Sequence, residues 1–447
     1  MSKSEYLKHA DAIGADIAAG RLTPGDRLAP QRRFAYERGI AVSTASRVYS
    51  ELLRRGLVVG EVGRGTFVAG EARRGVAAPG EPRDICIDLE FNYPLLPEQS
   101  TLIAKSLKGL THGAGLEAAL AQATSVGTPA ARSIAAVYLA QKGWLPAAEQ
   151  IVFTGNGRQA IAAAFAATIP VGGRCGVEAL TYPFIKGIAA RLGVSLVPLA
   201  MDEHGVRPDA VEGAHRQAHL SAIYLQPSVQ NPLGTTMTAG RRSDLLRVVE
   251  KLNLPVIEDN VYGFLGDEPP LAALAPASCI VIDSLSKKVA PGLTLGFVII
   301  PQRLRENIMA AVRSGGWTAT GFALAVAQRM MSDGTAAELA ERKRADARAR
   351  QNIAAHHFRG FEIQCDKSSY HLWLTLPGHW RSQSLVAAAA RRDIALTPST
   401  TFAVAPGHAP NAVRLALAAP PIDQLDKGLA TLVAMLHAKE DDFDLTE

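Results

Sequence analysis

The stretch that decides the fold is Asp283-Ser-Leu-Ser-Lys-Lys-Val-Ala-Pro-Gly-Leu-Thr-Leu-Gly296, in a chain of 447 residues. The apolar run Cys279-Ile-Val-Ile282 precedes it and predicts a buried strand. That strand would deliver Lys287, flanked by Ser284 and Ser286, just ahead of a Pro-Gly turn. Open α/β sheets bind their ligands just beyond the carboxyl ends of their strands, which is where this lysine is expected.

Two further β-rich runs end in polar side chains. Asp259 and Tyr262 follow the run ending at Ile257, and Asn231 follows the run ending at Leu225. A lysine, a carboxylate, a phenol and an amide that converge at one sheet edge suit a cofactor with several polar edges, and pyridoxal 5′-phosphate has them. The run Ile151-Val-Phe-Thr-Gly-Asn-Gly157, followed by a predicted helix, is well placed to hold the phosphate.

The order of predicted elements indicates the fold class. β-rich runs lie at 151–155, 174–180, 221–227, 255–259, 279–285 and 297–300, separated by helices such as 157–168, 182–192 and 239–252. Strands that alternate with helices in this way predict a doubly wound α/β sheet. From about residue 334, a long charged helix, antiparallel-looking strands and a C-terminal helix predict a second, smaller α+β unit.

The excess positive charge is concentrated in the first sixth of the chain. Residues 1–75 contain 13 Lys and Arg against 8 Asp and Glu, whereas the rest of the chain has 34 of each sign. This asymmetry predicts a small module that meets a polyanion, attached to a neutral body. The Gly-, Pro- and Ala-rich stretch 69–84 predicts an exposed linker between the two.

Composition excludes several classes of protein. With 48% hydrophobic and 20% charged residues, the chain is not disordered throughout. No apolar run approaches 18 residues, and the N-terminus lacks the apolar core of a secretory signal, so we expect no membrane partner. The four scattered cysteines form no CxxC pair, which predicts no metal site and a reducing, cytoplasmic location.

The N-terminal module has the pattern of a helix-turn-helix. A predicted helix spans residues 5–19, and a short helix (31–39), a glycine-containing turn and a second helix (42–56) follow. Small hydroxyl and arginine side chains lie on the outer face of that second helix, which suits it to the major groove of DNA; they are Ser43, Thr44, Ser46 and Arg47. Two β-rich runs joined by Gly63-Arg64-Gly65 predict a hairpin wing whose Arg64 reaches a minor groove or a phosphate.

The run from Gly20 to Val68 resembles the DNA-binding domain of the GntR family of bacterial regulators. The likeness lies in the Gly-Arg-Leu-x-Pro-Gly-Asp-Arg-Leu start, in Arg32 at the opening of the second helix, in Thr44 and in the Gly-Arg-Gly-Thr-Phe wing. The family often has Ser-Arg where this chain has Ala41-Val42, a difference that bears on the operator sequence and not on the fold. The resemblance implies double-stranded operator DNA as a partner.

From about residue 88 onward, the chain resembles the fold-type I, aspartate-aminotransferase-like enzymes. The resemblance implies that Lys287 forms the Schiff base with pyridoxal phosphate and that Asp259 pairs with the pyridine nitrogen. It further implies ring-hydroxyl contacts from Asn231 and Tyr262, stacking by Tyr182, a phosphate cradle of Gly155, Asn156, Gly157, Ser284 and Ser286, and carboxylate binding by Arg414. Thr294 stands where the family usually places the arginine that clamps the phosphate, and Lys288 is expected to be solvated.

A GntR-type winged helix fused to such a domain is the layout of the MocR subfamily. The resemblance predicts a winged helix at 1–70, a linker at 71–87 and a cofactor-binding domain at 88–447, in a homodimer. The expected function is a transcriptional regulator that senses an amino compound, or the cofactor itself. A working aminotransferase with an accessory winged helix is the alternative, and a cofactor-free scaffold is disfavoured because the lysine, aspartate, asparagine and tyrosine are all present.

Overall fold

The computed structural model describes residues 5–23, 25–54, 57–61, 65–68, 87–110, 114–120, 123–405 and 409–438. An N-terminal module, a large α/β unit and a smaller α+β unit follow one another along these ranges. Most of the predicted linker lies outside the described residues, and so does Arg64.

The N-terminal module packs three helices against a two-stranded hairpin. Its elements are α1 (Glu5–Ala18), α2 (Gln31–Glu37), α3 (Val42–Arg54), β1 (Val58–Glu61) and β2 (Gly65–Val68). Gly39 makes the turn between α2 and α3 at φ +62°, a conformation that favours glycine. The side chains expected to face inward are all buried, namely Phe34, Ala35, Ala45, Val48, Tyr49 and Leu52. This arrangement is the predicted winged helix.

The large unit is built around a seven-stranded sheet. The strands in this part of the chain are β3 (Ile87–Asp88), β4 (Ile151–Thr154), β5 (Arg174–Glu178), β6 (Ser195–Leu199), β7 (Met201–Asp202), β8 (Gly205–Val206), β9 (Ala222–Leu225), β10 (Val256–Asp259), β11 (Cys279–Ser284) and β12 (Gly296–Ile299). Three of them, β3, β7 and β8, are short and lie outside the seven-stranded sheet. The sheet order is β4-β12-β11-β10-β9-β5-β6, in which β12 runs antiparallel to both neighbours and the other pairs are parallel. The sheet is therefore mixed and mostly parallel, and the predicted α/β class is confirmed.

Helices cover both faces of this sheet. They are α4 (Gln99–Lys108), α5 (Ala114–Leu120), α6 (Pro129–Leu139), α7 (Gly157–Thr168), α8 (Phe184–Arg191), α9 (Pro208–Gln217), α10 (Ala239–Lys251), α11 (Leu285–Lys288), α12 (Arg305–Ser314) and α13 (Gly321–Ser332). Every residue of β9, β10 and β11 is buried, and successive residues such as Val256 and Ile257 join separate apolar clusters. Burial on both faces explains why these strands read as unbroken apolar runs.

The smaller unit begins with the longest helix of the described ranges. Its elements are α14 (Thr335–His357), β13 (Ile363–Gln364), β14 (His371–Thr375), α15 (Ser382–Ala390), β15 (Ile394–Ala395), β16 (Thr397–Pro398), β17 (Ala412–Ala416) and α16 (Ile422–His437). Strands β13, β14, β17 and β16 form an antiparallel sheet, and β15 pairs with β3. Across the described parts of the chain, no helix combines the length and apolar character needed to cross a bilayer.

Arg381 links the N-terminal module to the smaller unit. Arg381, which immediately precedes α15, donates a hydrogen bond from Nη1 to the carbonyl of Gly25 at 2.7 Å. Its guanidinium carbon also lies 4.1 Å from the centroid of the Phe67 ring in β2. A cation–π contact and a charge-assisted hydrogen bond thus join the N-terminal module to the smaller unit.

Candidate functional site

Lys287 lies at the carboxyl end of a central strand, where the sequence predicted it. β11 ends at Ser284, whose side chain accepts a hydrogen bond from the Ser286 amide at 3.2 Å and begins the one-turn helix α11. This turn places Lys287 in a cavity of about 690 Å³. There, its Nζ donates to the backbone carbonyl of Asn92 at 2.5 Å.

The surroundings of Lys287 favour its neutral amine. Burial lowers its pKa to about 7, and the positive charges of Arg414, Arg158 and Lys343 contribute in the same direction. A neutral amine is the form that attacks a carbonyl carbon, so a lowered pKa activates a lysine at neutral pH.

A second buried lysine holds the segment that carries Lys287. Lys343 on α14 is fully buried, and its Nζ donates to the backbone carbonyls of Lys287 at 3.2 Å and Val289 at 2.6 Å. Burial lowers the pKa of Lys343 to about 7. Helix α14 is therefore tied directly to the main chain at Lys287.

Asp259 offers the cavity an anionic wall. Burial raises its pKa to about 6, while hydrogen bonds favour the charged form. One carboxylate oxygen accepts from the Tyr224 hydroxyl at 2.6 Å and from Gln226 Nε2 at 3.1 Å. The other accepts from the Val261 amide at 3.3 Å. A carboxylate oriented in this way fits a protonated ring nitrogen.

Asn231 and Tyr262 line the same cavity, as predicted. The Tyr262 hydroxyl accepts a hydrogen bond from Asn92 Nδ2 at 3.2 Å, and the same amide lies 3.1 Å from His371 Nδ1. His371 Nε2 lies 2.9 Å from the carbonyl of Gln230, which can only accept, so Nε2 carries the proton. Burial lowers the pKa of His371 to about 3, which keeps this imidazole neutral.

The predicted phosphate cradle lies at the N-terminus of α7. Asn156 caps this helix by accepting from the Gln159 amide at 2.9 Å. A Cβ added to Gly157 would lie 3.3 Å from the Cβ of Ser284, so the backbone approaches closely here. Gly155 does not line the cavity and shapes the turn instead, because its amide donates to the Trp317 carbonyl at 3.1 Å.

Three hydroxyls complete this end of the cavity. Ser286 Oγ lies 2.5 Å from Thr294 Oγ1 and 2.9 Å from Ser284 Oγ. Hydroxyls beside helix-terminal amides suit a phosphate, but the three groups carry no charge.

Arg414 lies at another wall of the cavity, and its side chain is held on several sides. It is 6% exposed, and it donates to the Glu90 carbonyl, to Thr397 Oγ1 at 3.0 Å and to Asn231 Oδ1 at 3.4 Å. Its Nε is buried and has no hydrogen-bond partner among the described residues. The carboxylate of a ligand would supply a hydrogen-bond acceptor for this unpaired N–H group of the guanidinium.

Aromatic rings supply apolar walls: Tyr182 lines the cavity as the resemblance implied, whereas Phe91, Tyr93, Phe184 and Phe402 were not predicted. Phe91 and Tyr93 stack with ring centroids 5.7 Å apart, and the Tyr182 ring lies 5.3 Å from that of Phe184. Phe402 also lines the cavity. These rings come from separate loops, so no local motif joins them.

Lys288 is buried, contrary to the prediction that it is solvated. It is 3% exposed, and its Nζ pairs with the Asp283 carboxylate at 2.5 Å. Successive residues of a helical turn point in different directions, so Lys288 faces away from the cavity of Lys287. It lines a second cavity of about 770 Å³, beside Tyr138.

The candidate DNA-contacting face lies on α3. Ser43, Ser46 and Arg47 are exposed and Thr44 is half-buried, so the predicted polar face is open to a ligand. Arg32 at the start of α2 is exposed as well.

Comparison with known proteins supports the predicted assignment of both parts of the chain. The family "Bacterial regulatory proteins, gntR family" matches residues 5–68, and "Aminotransferase class I and II" matches residues 84–432. The uncharacterized HTH-type transcriptional regulator YdeF of Bacillus subtilis is 30% identical over 440 residues, covering 97% of this chain and 95% of YdeF. The chain is a MocR-type member of the GntR family.

Other relatives of this MocR-type chain are more distant. The HTH-type pyridoxine biosynthesis transcriptional regulator PdxR of Corynebacterium glutamicum is 27% identical over 306 residues, 66% of each chain. A multiple substrate aminotransferase from Thermococcus profundus superposes with a TM-score of 0.72 at 22% identity, covering 80% of this chain and 92% of its own. That structural likeness shows the fold.

Pyridoxal phosphate is the cofactor of the aminotransferase family to which this MocR-type chain belongs. The groups that line the cavity fit this cofactor. They are a lysine with a lowered pKa, an anionic carboxylate, a phenol, an amide, and the N-terminus of a helix beside hydroxyls. When bound, the cofactor supplies an aldehyde and an electron-withdrawing ring. Lys287, Asp259, Asn231, Tyr262 and Gly157 are the residues that would hold it.

Proposed function

We propose that this chain is a transcriptional regulator that binds operator DNA as a homodimer and responds to a small amino compound, or to pyridoxal phosphate itself. The observation that carries the proposal is that one chain combines two candidate sites. One is the exposed hydroxyl and arginine face of α3, and the other is the buried cavity around Lys287.

The chemistry of the cavity supports an amino compound that bears a carboxylate. Arg414 has an unfilled buried donor, and Lys287 has a pKa of about 7 nearby. Apolar walls from Phe91, Tyr93 and Phe184 favour a ligand with an apolar or aromatic side chain.

The arrangement of the units supports coupling between ligand and DNA. A single helix-turn-helix reads one half-site, so two copies are needed for useful specificity. We propose the cytoplasm as the location, because bacterial operators lie there. A ligand that binds two arrangements of the smaller unit with different affinity would shift their populations. The Arg381 contact would pass that shift to the wing, and the stretch 71–87 would allow the modules to change spacing.

Duplexes selected from a random pool by the full chain test this proposal. We expect sequence-specific binding that weakens steeply with salt and that pyridoxal phosphate or one amino acid changes at least several-fold. The ligand effect, but not the binding, should disappear in Lys287→Ala. Multiple turnovers with an amino donor and a keto acceptor, together with ligand-independent DNA binding, would favour an aminotransferase instead.

A further inference from the structure

The phosphate end of the cavity needs a positive charge that its hydroxyls do not supply. Thr294 occupies the position of the family's arginine, and its hydroxyl lies 2.5 Å from Ser286 Oγ and 3.5 Å from Ser284 Oγ. A neutral hydroxyl forms hydrogen bonds about half as strong as charge-assisted ones. A phosphate dianion placed here would therefore lack the strongest contact that the family normally provides.

Three basic side chains line the cavity, and two of them are engaged elsewhere. Arg414 donates to Glu90, Thr397 and Asn231. Lys287 donates to a backbone carbonyl and is the residue expected to bond to the cofactor carbonyl carbon. The third basic side chain is Arg158.

Arg158 lies beside the cradle and has a free charge. It is the second residue of α7, directly after Gly157, and its guanidinium carbon lies 4.0 Å from the centroid of the Phe184 ring. Within the described ranges no carboxylate pairs with it, and its side chain is exposed. Stacking on a ring leaves the N–H edge of a guanidinium available to an anion.

The charge of Arg158 already acts inside the cavity. It lowers the pKa of Lys287, and it opposes the burial that raises the pKa of Tyr182. Arg158 lines the same cavity as Lys287 and Tyr182, so its guanidinium lies close enough to act on an anion bound there.

We propose that Arg158 is the cationic anchor of the cofactor phosphate, and that it replaces the arginine missing at position 294. The inference rests on the proposed binding of pyridoxal phosphate. It assigns a residue of α7, rather than the turn after α11, to hold the anion. The helix N-terminus and the hydroxyls then orient the phosphate, and Arg158 supplies the charge.

Titration of the cofactor-free full chain with pyridoxal phosphate and with pyridoxal, which lacks the phosphate, tests the assignment. Fluorescence quenching gives the two affinities. We expect Arg158→Gln to weaken binding of pyridoxal phosphate at least about tenfold while leaving pyridoxal within about twofold. Arg191→Gln, an exposed arginine at the end of α8, is the matched control and should change neither.

A second variant relocates the charge. Arg158→Gln combined with Thr294→Arg restores the family's arrangement and should recover most of the affinity for pyridoxal phosphate. Recovery would show that the phosphate needs a cation and that Arg158 supplies it in the natural chain.

Three results would overturn the assignment. If Arg158→Gln weakens the binding of both ligands equally, Arg158 acts on the cofactor ring or on the fold and not on the phosphate. If it weakens the binding of neither, the backbone amides and hydroxyls hold the phosphate without Arg158. If wild type binds neither ligand any better than Lys287→Ala does, the proposed cofactor site itself fails. The first two results leave that site intact, so the two failures are distinguishable.

Discussion

The N-terminal module and the large unit place their candidate functional side chains in opposite ways. The module presents Ser43, Ser46 and Arg47 on the surface of one helix, over a small apolar core. The large unit encloses Lys287 and Asp259 in a cavity, where burial changes the pKa of each. A site for DNA needs a correctly shaped surface, whereas a site for reactive chemistry needs groups removed from water.

The largest expected effect tests the cavity. Lys287→Ala should abolish the absorption band that pyridoxal phosphate gives on the protein near the visible edge, because no other described lysine amine lines the cavity. DNA binding by the module should be unchanged. Absorption spectra of both proteins with added cofactor measure this, with Lys251→Ala, an exposed lysine paired with Glu212, as the control. A band that persists in Lys287→Ala would show that pyridoxal phosphate does not bond to the lysine of this cavity.

Breaking the ion pair of Lys288 should affect the stability of the large unit and not that of the module. Lys288→Met leaves the buried Asp283 carboxylate without its partner, which typically costs about 3–5 kcal/mol of unfolding free energy. Lys288→Met combined with Asp283→Leu should recover much of the loss. In denaturant titrations, the fluorescence of a tryptophan in the large unit measures the stability of that unit, and the loss of DNA binding measures the stability of the module. Full stability in Lys288→Met alone would contradict the burial of this pair.

Substitutions on α3 should affect DNA binding and leave cofactor binding unchanged. Arg47→Ala is expected to cost about 1–3 kcal/mol of DNA affinity and to reduce the salt dependence by about one ion if the contact is to a phosphate. Arg33→Ala removes an exposed arginine of α2 that pairs with Glu37, and it serves as the control. Anisotropy titrations at several salt concentrations measure these values. A changed cofactor spectrum in Arg47→Ala would contradict the expectation that changes in the module leave the cavity unaffected.

The pKa of Lys287 predicts how cofactor capture depends on pH. Because the folded pKa is lowered to about 7, the neutral amine fraction rises through neutral pH, and the capture rate should rise with it and level off above about pH 8. Lys343→Met removes a neighbouring positive charge and should move the midpoint to higher pH. Stopped-flow mixing of cofactor-free protein with pyridoxal between pH 6 and 9 measures the midpoint. A rate still rising about tenfold per pH unit at pH 9 would contradict the lowered pKa.

The smallest effect concerns the contact between the regions. Arg381→Ala removes one charge-assisted hydrogen bond and one cation–π contact, worth about 1 kcal/mol together at a partly exposed site. Amides of β2 should exchange with solvent roughly fivefold faster, as hydrogen-exchange mass spectrometry can measure. Arg313→Ala, an exposed arginine on α12, should leave β2 unchanged. Identical exchange in Arg381→Ala would show that the contact contributes no stability.

Much of the fold could be predicted because its signals are local. The predicted helix 157–168 matches α7 at both ends, and the long charged helix expected from about residue 334 is α14. Asn156 caps the first, and Gly334, at φ +85°, precedes the second. The predicted strands were also correct, although several extended one or two residues too far into the loops that carry polar groups.

The part of the site that escaped prediction depends on contacts between distant segments. Asn92, His371 and Lys343 lie far from Lys287 in sequence, and only packing brings them to it. Lys288 was misjudged because a lysine is rarely buried without a partner, and its partner Asp283 became visible only when the turn of α11 was defined. Residues that follow a strand directly could be found from the sequence, whereas their supporting neighbours could not.

The contact between Arg381 and Phe67 also constrains how such a chain can be recombined. The two residues lie in different parts of the chain, the first in the smaller unit and the second in the wing. The hydrogen-bond acceptor at Gly25 is a backbone carbonyl that any donor module would bring with it. A chimera that exchanges the DNA-binding segment must therefore keep an aromatic residue at position 67, or it retains the hydrogen bond and loses the cation–π contact.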